Sequence, residues 1–266
     1  MLIRELLSQG VKQFGRSLEV ELVLAHVLGM SRSEVIAHDD IEVTSEVSIK
    51  LFQKYIDELV SGKPLAYIVR SKEFYGADFY VDERVLVPRP ETEMIVDTVL
   101  EYLNERAFAV GGMEAKGGYY STVNEDAVSV IDSVDLGKDF KILDIGTGSG
   151  CIIASILKNF DNAVGVACDI SRDALEVARE NFEYHNLEDR VELVESDLFE
   201  AFDDEEFFDV IVTNLPYVAE ASDENLDIVA SGNFTADENV VKYEPAVALF
   251  AGKDGTDVYK KLVQEL

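Results

Sequence analysis

The chain has 266 residues, 47% of them hydrophobic and 29% charged, and a formal net charge of -30. This length suits one sizeable core with a small second domain, and 53 acidic residues against 23 basic ones disfavour direct binding to nucleic-acid phosphates. No apolar run approaches the roughly 20 residues that span a bilayer. The amino terminus has no readable secretory signal, so we expect no membrane association and a cytoplasmic location.

Residues 1 to about 62 are predicted to form a helical bundle, because apolar residues recur at intervals of three and four. Two such apolar faces are Leu18, Leu22, Ala25 and Leu28, and Val47, Leu51, Tyr55 and Leu59. Ser31 with Glu34 forms a capping-box pattern before a short helix, and Gly62 followed by Pro64 ends the last helix. We expect this unit to be a separate amino-terminal domain.

Residues 63–90 are predicted to be a β-rich connector, with two short strands around a turn between Phe74 and Tyr80. Pro90 suits the first position of a following helix. The apolar face of that helix comprises Ile95, Val96, Val99, Leu100 and Leu103. From about 104 to 138, glycine pairs and the loss of periodicity predict an extended surface insertion.

The rest of the domain at 91–266 alternates predicted strands and helices. The strands are Lys141 to Ile145, Ala163 to Cys168, Val191 to Glu195 and Phe208 to Thr213. The helices are one from Cys151, one from Ser171 to His185 and one from Asp257 to Leu266. This order predicts an α/β fold with a Rossmann-like parallel sheet covered by helices on both faces.

Neither cysteines nor histidines indicate a metal centre. Cys151 and Cys168 lie outside any Cys-x-x-Cys pattern, and no histidine lies at ligand spacing from either. We expect buried, reduced thiols and no bound metal.

A glycine-rich segment, Asp-Ile-Gly-Thr-Gly-Ser-Gly, begins at Asp144 where a predicted strand gives way to a helix. Glycines at such a point let a nucleotide-like ligand approach bare backbone at the helix N-terminus. A dinucleotide fingerprint needs a third glycine where Cys151 stands, whereas Gly-x-Gly-x-Gly is typical of S-adenosylmethionine enzymes. An ordinary tight turn is the alternative. The predicted cofactor loop comprises Gly146, Thr147, Gly148, Ser149 and Gly150.

Two carboxylates follow the next strands. Asp169 lies 19 residues beyond Gly150, where a carboxylate can accept hydrogen bonds from ribose hydroxyls. Asp197, with Leu198 beside it, follows the third strand, where it can accept from an adenine amino group while apolar neighbours flank the ring. Taken alone, each Asp also fits a helix cap or a solvated loop. Together with the glycine loop they favour S-adenosylmethionine.

The tetrapeptide Asn214-Leu215-Pro216-Tyr217 follows the fourth strand, at the sheet edge where open α/β folds bind ligands. An amide nitrogen is a poor nucleophile because its lone pair is delocalised. Asn214 and the Leu215 carbonyl are placed to accept from a substrate NH2 group, and Tyr217 to pack on its planar face. A bare turn is the alternative. The predicted catalytic residues are Asn214, Pro216 and Tyr217, with Leu215 added for substrate binding and Asn214 also near the cofactor.

With these motifs, the chain resembles the release factor glutamine methyltransferases, the PrmC/HemK family, over nearly all of its length. Three stretches carry the resemblance: the connector segments at 62–68, 73–76 and 85–93; the catalytic half; and Tyr243-Glu244-Pro245 with the segments at 248–250 and 254–255. The resemblance implies S-adenosylmethionine as cofactor. It also implies a release factor as partner, docked by residues 1–62, whose Gly-Gly-Gln loop presents the glutamine.

The chain departs from the family pattern at two informative places. Leu215 stands where the family usually has proline, and Asn-Leu-Pro-Tyr is also similar to the motif of ribosomal RNA adenine dimethyltransferases. An RNA or DNA adenine amino-group methyltransferase is therefore the alternative function. The family continues beyond Leu266 through about three more strands, so we expect an incomplete sheet, and a non-catalytic remnant is the further alternative.

Overall fold

A computed structural model of the chain describes residues 1–111, 139–203, 205–219 and 242–265. These residues divide into two compact units. Unit 1 comprises Met1–Lys72, Tyr80–Val87 and Pro216–Lys260, and unit 2 comprises Glu73–Phe79, Pro88–Leu215 and Lys261–Leu266. Both units are built from segments that are distant in the sequence. The predicted domain boundaries at 62 and 90 stay predictions.

The amino-terminal part of unit 1 is helical, as predicted. Its helices are α1 (Ile3–Phe14), α2 (Ser17–Leu28), α3 (Arg32–Ala37) and α4 (Glu46–Val60). They share a core in which the side chains of Leu6, Val20, Leu24, Phe52 and Ile56 are almost fully buried. Ser31 caps α3 by accepting from the Glu34 N–H group, and the Glu34 carboxylate accepts from the Ser31 N–H group, which confirms the predicted capping box.

The apolar faces predicted for α2 and α4 were wrong in part. Leu18 is 49% exposed and Val47 is 77% exposed, whereas the buried faces contain Val23 in α2 and Phe52 in α4. Helix α2 carries apolar residues on every side, so periodicity alone did not identify the face that packs against its neighbours.

The connector differs from its prediction at one point. Leu65–Val69 forms a short helix, α5, rather than extended chain, and Arg70 ends it with a positive φ of 57°. Five residues with an aromatic and two β-branched side chains give too little helical pattern to recognise. The predicted strand pair is confirmed as β1 (Lys72–Phe74) and β2 (Ala77–Phe79).

The start and the apolar face of the next helix are confirmed. Pro90 opens a single 3₁₀ turn, Pro90–Thr92, which leads into α6 (Glu93–Gly111). Val96, Val99 and Leu103 of α6 are buried in the core of unit 2. Because α6 runs to Gly111, the first residues of the predicted insertion are helical. Residues 112–138 of the insertion lie outside the described residues.

Unit 2 contains the predicted parallel sheet. Its strands are β3 (Phe140–Ile145), β4 (Ala163–Asp169), β5 (Val191–Glu195) and β6 (Val210–Thr213), in the order β5-β4-β3-β6. Helix α7 (Cys151–Asn159) connects β3 to β4, and α8 (Arg172–Tyr184) connects β4 to β5. Because all four strands are parallel, their carboxyl ends lie at one edge of the sheet.

The predicted thiol state is confirmed, since Cys151 and Cys168 are both buried and free. The last described elements are α9 (Ala246–Leu249) and α10 (Asp257–Glu265). Within the described ranges, no helix has both the length and the apolar character needed to cross a membrane.

Candidate functional site

The glycine loop follows β3, and its glycines serve different purposes. Gly146, Gly148 and Gly150 all have positive φ, which is unfavourable for residues with a side chain. A Cβ atom on Gly150 would lie 2.6 Å from the Phe182 ring, so this glycine allows α7 to pack against α8. A Cβ atom on Gly148 would meet nothing within 4 Å. The backbone at Gly148 therefore borders open space.

Backbone and side-chain hydrogen bonds hold this loop in place. The N–H groups of Gly146 and Thr147 both donate to the Cys168 carbonyl at 2.9 Å. From α8, the fully buried Asn181 donates its Nδ2 to the Ser149 carbonyl at 2.8 Å. The loop is thus held in place by hydrogen bonds to β4 and to α8. Sequence reasoning missed Asn181, which belongs to no motif.

Asp169, at the end of β4, bridges the loop and the start of α8. Its Oδ2 accepts from the Gly148 N–H group and its Oδ1 from the Ser171 N–H group, both at 2.9 Å. Burial raises the pKa of Asp169, while these backbone donors act in the opposite direction. The predicted ribose-binding carboxylate therefore lies directly beside the predicted cofactor loop.

Asp144, the first residue of the glycine-rich segment, is fully buried in β3. Its Oδ2 accepts from the Thr147 hydroxyl at 2.7 Å, while its Oδ1 has no hydrogen-bond partner among the described residues. Burial raises the pKa of Asp144 to about 7, and the nearby Asp169 carboxylate adds to the increase. We did not single out Asp144 from the sequence, although its place at the head of the motif was a usable signal.

The loop after β5 carries Asp197 and Leu198. Leu198 has a φ of 55° and is 4% exposed, and its carbonyl accepts from the Ser196 hydroxyl at 2.9 Å. Asp197 is more exposed, and its Oδ2 accepts from Lys261 Nζ at 2.6 Å. Leu198 is therefore buried within unit 2, whereas the Asp197 carboxylate contacts Lys261, a residue of the helix Asp257–Glu265.

Asn214 and Leu215 follow β6 in unit 2. The strand register pairs Thr213 with Ile145, and the Thr213 hydroxyl donates to the Ile145 carbonyl at 2.8 Å. The side chain of Leu215 is buried and approaches to 3.1 Å of the point where a Cβ of Gly146 would lie. The tetrapeptide thus begins in direct contact with the glycine loop.

The side-chain amide of Asn214 lies near the 3₁₀ turn that precedes α6. Its Nδ2 donates to the Thr92 hydroxyl over 3.4 Å, a long hydrogen bond. Thr92 is buried and stands 122 residues away in the sequence. It lies in the connector segment that carries the family resemblance, but its own side chain had given no signal.

Pro216 and Tyr217 belong to unit 1. Tyr217 is 55% exposed, and a Cβ atom on Gly255 would lie within 2.5 Å of the Tyr217 carbonyl, so only glycine allows this approach. Gly255 has a φ of 75°, which also favours glycine. The Asp-Gly pair of the third stretch therefore has a structural role that the sequence did not reveal, namely close packing against the tetrapeptide backbone.

Glu244, in the same stretch, is a buried carboxylate that anchors unit 1. Its Oε1 accepts from the Val87 N–H group at 3.2 Å, across 157 residues of sequence. Two stretches that carry the resemblance, the connector and the segment at 243–245, are thus joined by a hydrogen bond.

The structure brings part of the predicted site together. In unit 2, Asp169 and Leu215 contact the glycine loop directly, while the Asp197 side chain contacts Lys261. Pro216 and Tyr217 are described with unit 1. The functional roles assigned to these residues remain predictions.

Two family descriptions match the sequence. The PrmC N-terminal domain matches residues 5–69, and the methyltransferase small domain matches residues 114–237. A release factor glutamine methyltransferase of Chlorobaculum tepidum is 35% identical over 248 residues, which are 92% of this chain and 71% of that protein. The protein of the same name from Rhodopirellula baltica is 33% identical, with 93% and 71% covered.

A longer relative also matches. The bifunctional methyltransferase of Rickettsia typhi is 34% identical over 242 residues, which are 91% of this chain but 42% of that protein. The chain therefore spans less than half the length of this Rickettsia relative and about seven-tenths of the two release factor enzymes.

Proposed function

Because this chain belongs to the family of release factor glutamine methyltransferases, we propose that it methylates a glutamine side-chain amide nitrogen in a peptide-chain release factor. The methyl donor is S-adenosyl-L-methionine, and the glutamine is that of the Gly-Gly-Gln motif. One observation carries the proposal most directly, which is the packing of Leu215 against Gly146. It puts the start of the acceptor tetrapeptide against the cofactor loop within a single unit.

The residues at the sheet edge fit the proposed cofactor. Open space at Gly148 gives a ligand access to bare backbone, and Asp169 lies beside it with a carboxylate suited to ribose hydroxyls. When bound, S-adenosylmethionine would supply a methyl group activated by its sulfonium charge and would leave as the neutral thioether S-adenosylhomocysteine, while the methylated amide nitrogen releases one proton to water. Asp197 and Leu198 are assigned to the adenine side. The loop residues assigned to the methionine part are Gly146, Thr147, Gly148, Ser149 and Gly150.

Asn214 is assigned to hold the substrate amide. Its Nδ2 donates to Thr92, which directs the acceptor Oδ1 away from that hydroxyl. Oδ1 and the Leu215 carbonyl then accept from the glutamine NH2 group, which orients the nitrogen and stabilises the positive charge it develops. From the sequence motif, Tyr217 is assigned to pack against the planar amide and Pro216 to stiffen the backbone of the tetrapeptide. Within unit 1, Tyr217 is 55% exposed.

The release factor is the proposed protein partner. The match of residues 5–69 to the PrmC N-terminal domain supports a docking role for the helices of unit 1. The alternative of an RNA or DNA adenine methyltransferase is supported neither by the names of the two release factor relatives nor by a net charge of -30. The proposed setting is the cytoplasm, where translation termination takes place.

Mass spectrometry of the glutamine-bearing release factor peptide tests this function. After incubation of purified release factor with the chain and S-adenosylmethionine, we expect a gain of one methyl group on that glutamine. Asn214→Ala should abolish the gain. The matched control is Asn162→Ala, since Asn162 is exposed and precedes the amino end of β4. Absence of methylation, with a longer relative active in parallel, would refute the proposal for this chain.

A further inference from the structure

Lys261 of α10 joins three carboxylates in unit 2. Its Nζ lies 2.6 Å from Asp197 Oδ2, 3.1 Å from Glu200 Oε1 and 3.7 Å from Glu265 Oε1. The hydrogen bond with Asp197 is the main cause of a raised pKa for the lysine. Lys261 is therefore the cation around which these acidic side chains gather.

Hydrogen bonds that do not involve Lys261 hold the backbone of the loop after β5. The Ser196 N–H group donates to the Asp169 carbonyl at 3.0 Å, and the Ser196 hydroxyl donates to the Leu198 carbonyl. The positive φ of Leu198 is maintained by this bonding and by burial. The backbone of the loop is thus held from the sheet side.

The Asp197 carboxylate contacts Lys261. Among the described residues, Lys261 is the one side-chain partner of the Asp197 carboxylate, and it contacts Oδ2 rather than Oδ1. Glu265 of the same helix accepts from the Phe199 N–H group at 3.4 Å. Helix α10 therefore contacts the loop on both sides of Leu198.

We propose that Lys261 is a positioning residue for adenine recognition, which orients Asp197 so that Oδ1 accepts from the adenine amino group. This inference rests on the proposed function, since it assumes that Asp197 lies at the adenine side. Nothing in the glycine-loop or tetrapeptide motifs points to Lys261. The assignment extends the cofactor site to a helix that follows the tetrapeptide in the sequence.

Removing the ammonium group leaves Asp197, Glu200 and Glu265 close together without their shared cation. The three carboxylates, in a chain with a net charge of -30, then repel one another, and this repulsion turns Asp197 away from its present orientation. The hydrogen bond from Lys261 to Oδ2 joins two charged groups, and such hydrogen bonds are shorter and stronger than those between neutral groups.

Calorimetric titration tests this role without any methyl acceptor. S-adenosylhomocysteine is compared with S-inosylhomocysteine, which has a carbonyl group in place of the adenine amino group. We expect the unsubstituted chain to prefer the adenine form, and Lys261→Met to weaken adenine binding about three- to tenfold while leaving inosine binding nearly unchanged. Lys261→Arg, which keeps the positive charge, should retain the preference for the adenine form. Lys260→Met is the matched control, because Lys260 pairs with Asp254 instead.

Three outcomes would overturn the positioning role. These are an unchanged preference in Lys261→Met, an equal loss for both ligands, and tighter adenine binding, which would mean that Lys261 competes for Asp197. Failure of the proposed function gives a different pattern, in which both ligands bind as expected but no glutamine is methylated.

Discussion

The N–H group of Gly148 donates to Oδ2 of Asp169 at 2.9 Å. The carboxylate assigned to ribose therefore also fixes the backbone of the loop assigned to the methionine part. Since Oδ1 of Asp169 simultaneously accepts from Ser171, one side chain links β4, the glycine loop and the start of α8. A change at Asp169 should consequently affect the shape of the site as well as a direct ligand contact.

Asp169→Asn should weaken binding of S-adenosylhomocysteine by at least about tenfold, because a neutral amide replaces a charged acceptor and one of its ends offers N–H groups to the Gly148 donor. Calorimetric titration measures the dissociation constant. Asp189→Asn, at an exposed position after α8, is the control and should bind as the unsubstituted chain does. If the two variants bind S-adenosylhomocysteine with equal affinity, Asp169 does not take part in cofactor binding.

Alanine at two glycines of the loop should separate folding from binding. Gly150→Ala brings Cβ to 2.6 Å from Phe182 and imposes a φ of 77°, so we expect a loss of about 2–4 kcal/mol in unfolding free energy. Gly148→Ala has only the backbone cost of a positive φ, about 1–2 kcal/mol, because its Cβ points into open space. Urea unfolding measures both values.

The second half of that prediction concerns the ligand. The Cβ of Gly148→Ala would occupy the space assigned to the cofactor. The loss in binding free energy for S-adenosylhomocysteine should therefore be much larger than the loss in unfolding free energy. If Gly148→Ala binds the ligand normally, the open space beside Gly148 does not receive the cofactor.

The catalytic half of the fold was predictable because its signals are local. An apolar strand, a glycine-rich turn and an amphipathic helix follow one another at 140–159, and each has its own pattern. The buried faces of α2 and α4 depend on neighbouring helices, and the short α5 has too few residues to show a period. Those features are decided by tertiary packing.

The same distinction applies to the site. Asp169 and Asn214 were predicted because each directly follows a strand, where parallel sheets gather their ligand residues. Asn181 and Thr92 were not predicted, since their contacts with Ser149 and Asn214 join residues that are 32 and 122 positions apart. No spacing rule along the chain reveals such hydrogen bonds.

Asp144 should make stability fall as pH rises between about 4 and 7. Burial raises its pKa in the folded chain to about 7, above the ordinary value near 3.9, so the folded state binds a proton that the unfolded state releases in this interval. The stabilisation is complete below pH 4 and is lost as pH passes through 7. Urea unfolding at several pH values measures it.

Asp144→Asn is the matched variant, because the amide keeps an acceptor for the Thr147 hydroxyl but does not titrate. As pH rises from about 4 to 7, the unfolding free energy of the unsubstituted chain should fall by several kcal/mol relative to that of Asp144→Asn. A difference that stays constant from pH 4 to pH 8 would show that Asp144 is ionised throughout.

Leu215→Ala should reduce both stability and catalysis. Removal of a buried leucine side chain costs about 2–4 kcal/mol, and here it also removes the contact that holds the tetrapeptide against Gly146.

Leu187→Ala is the control, since Leu187 is equally buried in unit 2 but lies after α8. At a temperature where both variants are folded, Leu215→Ala should lower kcat for glutamine methylation by about tenfold or more, because small displacements of aligned groups slow a transfer reaction strongly. Leu187→Ala should leave kcat nearly unchanged. Equal rates in the two variants would mean that the loop and the tetrapeptide are aligned by something other than Leu215.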